Sequence, residues 1–133
     1  MEKIITSGKR KTSVARASLI DGSGKISVNG KDYKTLNLFD RLKIEEPLRI
    51  YENEIGKINF DVRITARGGG DKSQIDAIRI ALSRAIINFS KSDKLKKAYM
   101  DYDRHILVAD IRRKETYKPG DSKARRKRQK SFR

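Results

Sequence analysis

Three consecutive glycines, Gly68-Gly69-Gly70, followed by Lys72, Ser73 and Gln74, are the residues of this chain best suited to holding an anion. A strand pattern ends at them and a helix pattern begins. Loop and helix N-terminus would therefore turn several peptide N–H groups toward one point. Glycine tolerates positive φ and lets another backbone come close. Lys72 adds a cation, and Gln74 adds an amide that both donates and accepts. A tight strand-to-helix turn with no ligand satisfies the same pattern. A nucleotide-binding P-loop does not: the pattern GxxxxGK[ST] is absent, and Lys11-Thr12 follows Arg10 rather than glycine.

Two cationic segments share the sign of Lys72. Gly8-Lys9-Arg10-Lys11-Thr12-Ser13 leads into a strand bearing Arg16, and these cations could form a phosphate-facing edge. A solvated charge run that guards an edge strand against aggregation is the alternative. The second segment is the end of the chain: Lys118 to Arg133 holds eight Lys or Arg against one acid, Asp121. It contains almost nothing a core can use, so like-charge repulsion should keep it from collapsing alone. Tyr117 and Phe132 interleave rings with these cations, the pattern for stacking on unpaired bases, at about 1–3 kcal/mol per stack. Tyr117 could equally pack on the body, whereas Phe132 stands among Lys130, Ser131 and Arg133 and calls for a partner.

The whole composition agrees. The net charge is +16, and the final 22 residues, Arg112 to Arg133, carry 11 Lys/Arg against 2 Asp/Glu. The preceding 111 residues carry 22 against 15 and are basic too. Clustered cations with a pI near 10.3 are the footprint of a nucleic-acid binder. The longest apolar run, Ile106-Leu107-Val108-Ala109, is far too short to span a membrane. No cysteine is present, which excludes disulfides and thiolate metal sites and makes reducing cytoplasm the default. Catalysis finds little support. There is one histidine, His105, and Asp101 and Asp103 are two residues apart and cannot share a helical face. Neither a cofactor, a metal nor a small-molecule substrate is expected.

These residues need elements to position them. Val14 to Asp21 alternates as a strand, with Ala15, Ala17 and Leu19 on one face and Val14, Arg16, Ser18 and Ile20 on the other. Asp21-Gly22-Ser23-Gly24 predicts a hairpin onto Lys25 to Val28, and Asn29-Gly30 predicts a two-residue turn. Leu36 to Ile55 has helical spacing, which Pro47 should divide into two short helices. Ile58 to Ala66 is the clearest strand, with Ile58, Phe60, Val62 and Ile64 on one face and Asn59, Asp61, Arg63 and Thr65 on the other. Ile75, Ile78, Leu82, Ala85, Ile86 and Phe89 then form the stripe of the clearest helix, for which Ser73 is the expected cap. A helix near Ser92 to Met100 and a strand at His105 to Ile111 complete the body. The prediction is an α+β fold: a small two-layer sandwich, residues 1–111, with helices on one face of one sheet and an extended basic tail, 112–133.

At this point the residues resemble a known family. Gly68-Gly69-Gly70-x-x-Ser73-Gln74-x-x-Ala77-x-x-x-Ala81-x-Ser83-Arg84-Ala85-Ile86 is similar to the signature of small-subunit ribosomal protein nine. Gly8 to Ala17 resembles that family's N-terminal block. Lys123-Ala124-Arg125-Arg126 and the ending Lys130-Ser131-Phe132-Arg133 resemble its tail, in the archaeal and eukaryotic style, with Phe132 where tyrosine is common. The resemblance implies the sandwich of the second domain of ribosomal protein five, bound to rRNA in the head of the small subunit among neighbouring ribosomal proteins. Contact with rRNA is then expected from Lys9, Arg10, Lys11, Arg16, Gly68, Gly69, Gly70, Lys72, Gln74, Arg112, Arg113, Lys123, Arg125, Arg126, Lys127 and Arg128. The family's tail implies contact with peptidyl-site tRNA through Lys130, Ser131, Phe132 and above all Arg133. Two rival readings are an RNA-processing subunit like the bacterial ribonuclease P protein, thought to share this sandwich, and a kinase-like enzyme using the glycine loop for ATP.

Overall fold

The computed structural model describes residues 2–120 and Ala124. In chain order the elements are β1 (Ile4–Arg10), β2 (Ser13–Asp21), β3 (Ile26–Val28), β4 (Lys31–Asp32), α1 (Leu38–Glu54), β5 (Phe60–Arg67), α2 (Asp71–Ser90) and α3 (Asp93–Tyr102). Short 3-10 turns lie at Tyr33–Thr35 and Arg104–Ile106. The five strands form one sheet in the order β1-β2-β5-β3-β4. The fold is α+β, and helices cover one face of the sheet, as the alternating patterns require. Ala15, Ala17 and Leu19 of β2 are fully buried, as are Phe60 and Ile64 of β5 and Ile78, Leu82, Ala85 and Ile86 of α2 within rounding. Phe60 stands edge-on to both Tyr51 and Phe89, with ring centroids 5.2 and 5.5 Å apart, an arrangement that suits the ring quadrupoles.

Four local expectations are corrected. The loop after β2 does not close a hairpin onto β3; β5 lies between them, antiparallel to β2 and parallel to β3. The Asp61 carboxylate, near the start of β5, accepts the N–H groups of Ser23, Gly24 and Lys25 at 2.8, 2.9 and 2.8 Å, and Gly22 N–H donates to the Asn59 carbonyl at 3.1 Å. The loop is thereby folded over the end of β5 and delivers β3 to its far side. The Asn29-Gly30 turn forms as expected between Val28 and Lys31, with φ of 51 and 83° at its two residues. Asn29 Oδ1 also accepts the Ala66 N–H at 2.9 Å, tying this hairpin to β5.

Pro47 does not break the second segment: α1 runs unbroken through it. Proline removes one donor, but Ile44, Pro47, Leu48 and Tyr51 form a single buried stripe, and burying that stripe outweighs one lost hydrogen bond. Ser73 is not the cap of α2. Gly70 is, and Ser73, three residues on, accepts the Gly70 N–H through Oγ at 3.3 Å. The strand expected at His105 to Ile111 is absent. Ile106 is buried, but residues 107–111 join no ladder. Arginine side chains take up part of their hydrogen-bonding capacity instead, as described below. A further strand, β1, ends in the basic block that starts at Gly8; its pairing with β2 runs from Ile4↔Leu19 to Arg10↔Ser13.

Candidate nucleic-acid interface

Two motifs about sixty residues apart meet at one end of the sheet. The β1–β2 turn, with Lys11 at φ 54°, lies directly under the Gly68–Gly70 loop. Gly68 and Gly69 have φ of 77 and 62°. A side chain at Gly68 would stand 2.6 Å from the Thr12 carbonyl oxygen, and one at Gly69 would overlap Ser13 Oγ. Ser13 is fully buried and its hydroxyl donates to the Gly68 carbonyl at 2.9 Å; Gln74 Nε2 donates to the same oxygen at 3.0 Å. Gly68 and Gly69 thus meet a packing need, and one Gln74 donor is engaged within the fold. Gly70 faces open space, and Lys11 and Lys72 are exposed beside the loop.

The uncovered face of the sheet leads away from this corner. Cross-strand register sets Lys9 beside Val14 beside Arg67, then Ser7 beside Arg16 beside Thr65, then Ile5 beside Ser18 beside Arg63. Lys9, Arg16, Arg63 and Arg67 are all exposed, and none is ion-paired among the described residues. Four uncompensated cations on the open sheet face, with Ile5, Val14 and Ile20 exposed among them, suit a polyanion with sugar edges. Arg63 and Arg67 were absent from the sequence-derived set. Their side of β5 was legible from the alternation, but their place beside Arg16 and Lys9 depends on strand pairing across more than forty residues.

Arg10 belongs to the other face. Its guanidinium lies 4.0 Å from Asp76 of α2 and 3.5 Å from Asp110, and Asp76 also holds Lys43 Nζ at 3.0 Å. Arg112 forks onto Asp110, with Nη2 at 2.7 Å from Oδ2. That side-chain contact, with the Arg112 backbone N–H, holds the Asp110 carboxyl far below the usual carboxylate range and raises the Arg112 guanidinium. Arg10 and Arg112 are therefore partly neutralised within the molecule, in contrast to exposed Arg113. Tyr117 is exposed rather than packed on the body, and Lys114 Nζ stands 5.0 Å from its ring centre. Lys123, Arg125, Arg126, Lys127, Arg128, Lys130, Ser131, Phe132 and Arg133 lie outside the described residues.

Among the described residues, no group of three His, Asp or Glu stands close enough to hold a metal ion, and no helix is long and apolar enough to cross a membrane. A profile of the family described as ribosomal protein S9/S16 matches residues 8–133. The chain belongs to that family. Small ribosomal subunit protein uS9 of Methanococcus vannielii is 42% identical over 136 residues, covering 100% of both chains. Proteins of the same description from Desulfurococcus amylolyticus, at 40% identity over 98% of this chain and 92% of the relative, and from Thermoplasma volcanium, at 41% over 100% of both, are further relatives.

The residues that carry the S9 resemblance serve the fold to a large degree. A side chain at Gly8 would collide with the Ala77 carbonyl and stand 2.7 Å from Ala81 N, so Gly8, Ala77 and Ala81 together let β1 lie flush on α2. Thr6 Oγ1 donates to the Ala81 carbonyl at 2.7 Å, and Ser83 Oγ to the Arg79 carbonyl at 2.7 Å. Arg84 donates through Nε to the Leu107 carbonyl and through Nη1 to the Ser7 carbonyl, both at 2.9 Å. In this S9 chain the glycine loop, the small-residue seam and Arg84 are one interlock between the β1–β2 hairpin and α2.

Proposed function

We propose that the chain is a structural constituent of the small ribosomal subunit, working through binding rather than catalysis. Its body, residues 1–111, binds rRNA in the subunit head beside neighbouring ribosomal proteins. Its tail, 112–133, reaches rRNA and peptidyl-site tRNA. The reading is carried by the family match over residues 8–133, which includes the cationic end of the chain. The four unpaired cations of the open sheet face and exposed Lys11 and Lys72 supply what a body that binds phosphate needs. Tail contacts to tRNA would be of the backbone-positioning kind, which does not read sequence and so suits a site that serves every tRNA. Eleven residues, Lys123 to Arg133, span at most roughly 36–40 Å, enough to thread between rRNA segments. The terminal Arg133 offers a planar fork matched to phosphate.

Sedimentation tests the first part: the protein is expected to co-migrate with small subunits at moderate salt, and its absence from them would refute the assignment. Removing Lys123 to Arg133 tests the second. Subunits carrying the shortened protein are expected to assemble and to bind peptidyl-site tRNA more weakly; unchanged tRNA affinity would refute the tail's role. The ribonuclease P-like reading finds no support among the relatives. Saturable ATP binding by the purified chain would revive the kinase-like one.

A further inference from the structure

The Asp110 carboxylate stands between two guanidiniums that come from opposite ends of the chain. Arg10, the last residue of β1, reaches it at 3.5 Å. Arg112 reaches it with Nε at 3.1 and 3.0 Å from the two oxygens and with Nη2 at 2.7 Å, and the Arg112 backbone N–H donates to Oδ1 at 3.0 Å. The Arg10 and Asp110 side chains are only 16% and 18% exposed, so this pair is better shielded from salt than an ordinary surface pair. Arg10 Nη1 is buried and makes no hydrogen bond, and the other carboxylate near Arg10, Asp76, is more distant at 4.0 Å. Asp110 is thus the nearer counter-charge of a largely buried guanidinium. Three residues earlier, the Leu107 carbonyl is held by Arg84.

We propose that Asp110 is a positioning residue for the basic C-terminal segment: Arg10 pins its carboxylate to the end of β1, and the same carboxylate orients Arg112, where that segment begins. The inference rests on reading residues 112–133 as an RNA-contacting limb. Its physical content is slack. With Asp110 engaged, the chain is fixed at 110 and aimed at 112. Without it, the side-chain clamp that precedes residue 110 is Arg84 on Leu107, and residues 108–112 add up to roughly 16–18 Å of reach at the root of the limb. The downstream cations then sample a larger volume, and their effective concentration at any one phosphate falls.

The chain has no cysteine, so Ala124→Cys provides a unique attachment for an iron chelate near the start of the cationic run, and Lys97→Cys on the exposed side of α3 reports on the body. In reconstituted small subunits, hydroxyl radicals from position 124 are expected to cut a narrow set of rRNA nucleotides. Adding Asp110→Asn is expected to spread that set and weaken its strongest cuts by about threefold. Asp110→Glu is expected to restore the original pattern, and cuts from position 97 are expected to be identical in all three proteins. A position-124 pattern that Asp110→Asn leaves unchanged would overturn the inference alone. Equal changes at 97 and 124 would overturn it in favour of a general role in the body's fold. No rRNA cuts from position 124 in any of the proteins would overturn the limb reading itself, and the inference with it.

Discussion

Gly8 and Gly68 exclude a methyl group for different reasons. At Gly8 the obstruction is the α2 backbone, which cannot move aside as a flexible side chain can. At Gly68, φ of 77° adds conformational strain to the close Thr12 carbonyl. Gly8→Ala is expected to lower stability by about 2–3 kcal/mol through overpacking, in urea unfolding. Gly70→Ala, with open space around it and φ of −99°, is expected to cost less than about 1 kcal/mol. Equal losses at the two positions would contradict the close packing of β1 on α2. Asp61 supplies a second test. Hydrogen bonds from the backbone of Lys25, and then of Ser23 and Gly24, outweigh desolvation and depress its carboxyl. A depressed folded-state pKa contributes stability above the ordinary carboxylate range, and that contribution is lost as pH falls through the folded value. The Tm is therefore expected to fall on acidification below about pH 4, and less steeply in Asp61→Asn than in the native chain. Parallel curves for the two proteins would show that the loop over β5 does not depend on this charge.

At the scale of elements, the helices are joined by a few directed bonds as well as by apolar contact. Arg79 of α2 pairs with Glu46 of α1 at 2.6 Å and with Asp103, at the end of α3, at 3.2 Å. Burial alone would raise the Asp103 carboxyl, but hydrogen bonds from His105 N–H and Arg79 outweigh it and the group is lowered. Fully buried Tyr99 of α3 donates its hydroxyl to the Pro47 carbonyl at 2.8 Å, at the one place where α1 carries a proline. Burial pushes the Tyr99 phenol up, so it remains a donor. Tyr99→Phe leaves that carbonyl without this partner and is expected to cost about 1–2 kcal/mol. The urea midpoint should fall while the m-value stays unchanged; an unchanged midpoint would mean that the α1–α3 contact is held by apolar packing alone. The continuity of α1 was not legible in the sequence, because the local effect of proline is opposed only by a stripe whose burial depends on α2 and α3.

Across the whole molecule, charge is sorted by place. Among the described residues, Arg10, Arg41, Lys43, Arg49, Arg79 and Lys94 stand against carboxylates, whereas Lys9, Arg16, Arg63 and Arg67 on the open sheet face make no ion pair. Proteins in which Arg63 and Arg67 are both replaced by Gln are expected to bind rRNA with a slope of log K against log salt smaller by roughly 1.5 units, if each meets one phosphate. Deleting Lys123 to Arg133, which holds seven Lys or Arg, is expected to reduce the slope by roughly 3 units if about half of them meet phosphate. Slopes unchanged by either alteration would mean that those cations stay hydrated in the complex. An Arg16→Gln protein provides a further comparison, since Arg16 lies between the two arginines in the register.

Alternation along β2 and β5 and the stripe of α2 set, from sequence alone, which side chains are buried, because burial follows the local period of each element. Composition indicated the nucleic-acid partner, and the blocks at Gly8 and Gly68 indicated the family. Only the tertiary structure decided that β5 enters between β2 and β3, that β1 seats Gly8 on α2, and that Arg10 faces Asp76 and Asp110 while Arg63 and Arg67 face outward beside Arg16. Residue type makes an arginine a cation, but whether its charge is free or already answered depends on carboxylates that lie up to a hundred residues away in the chain.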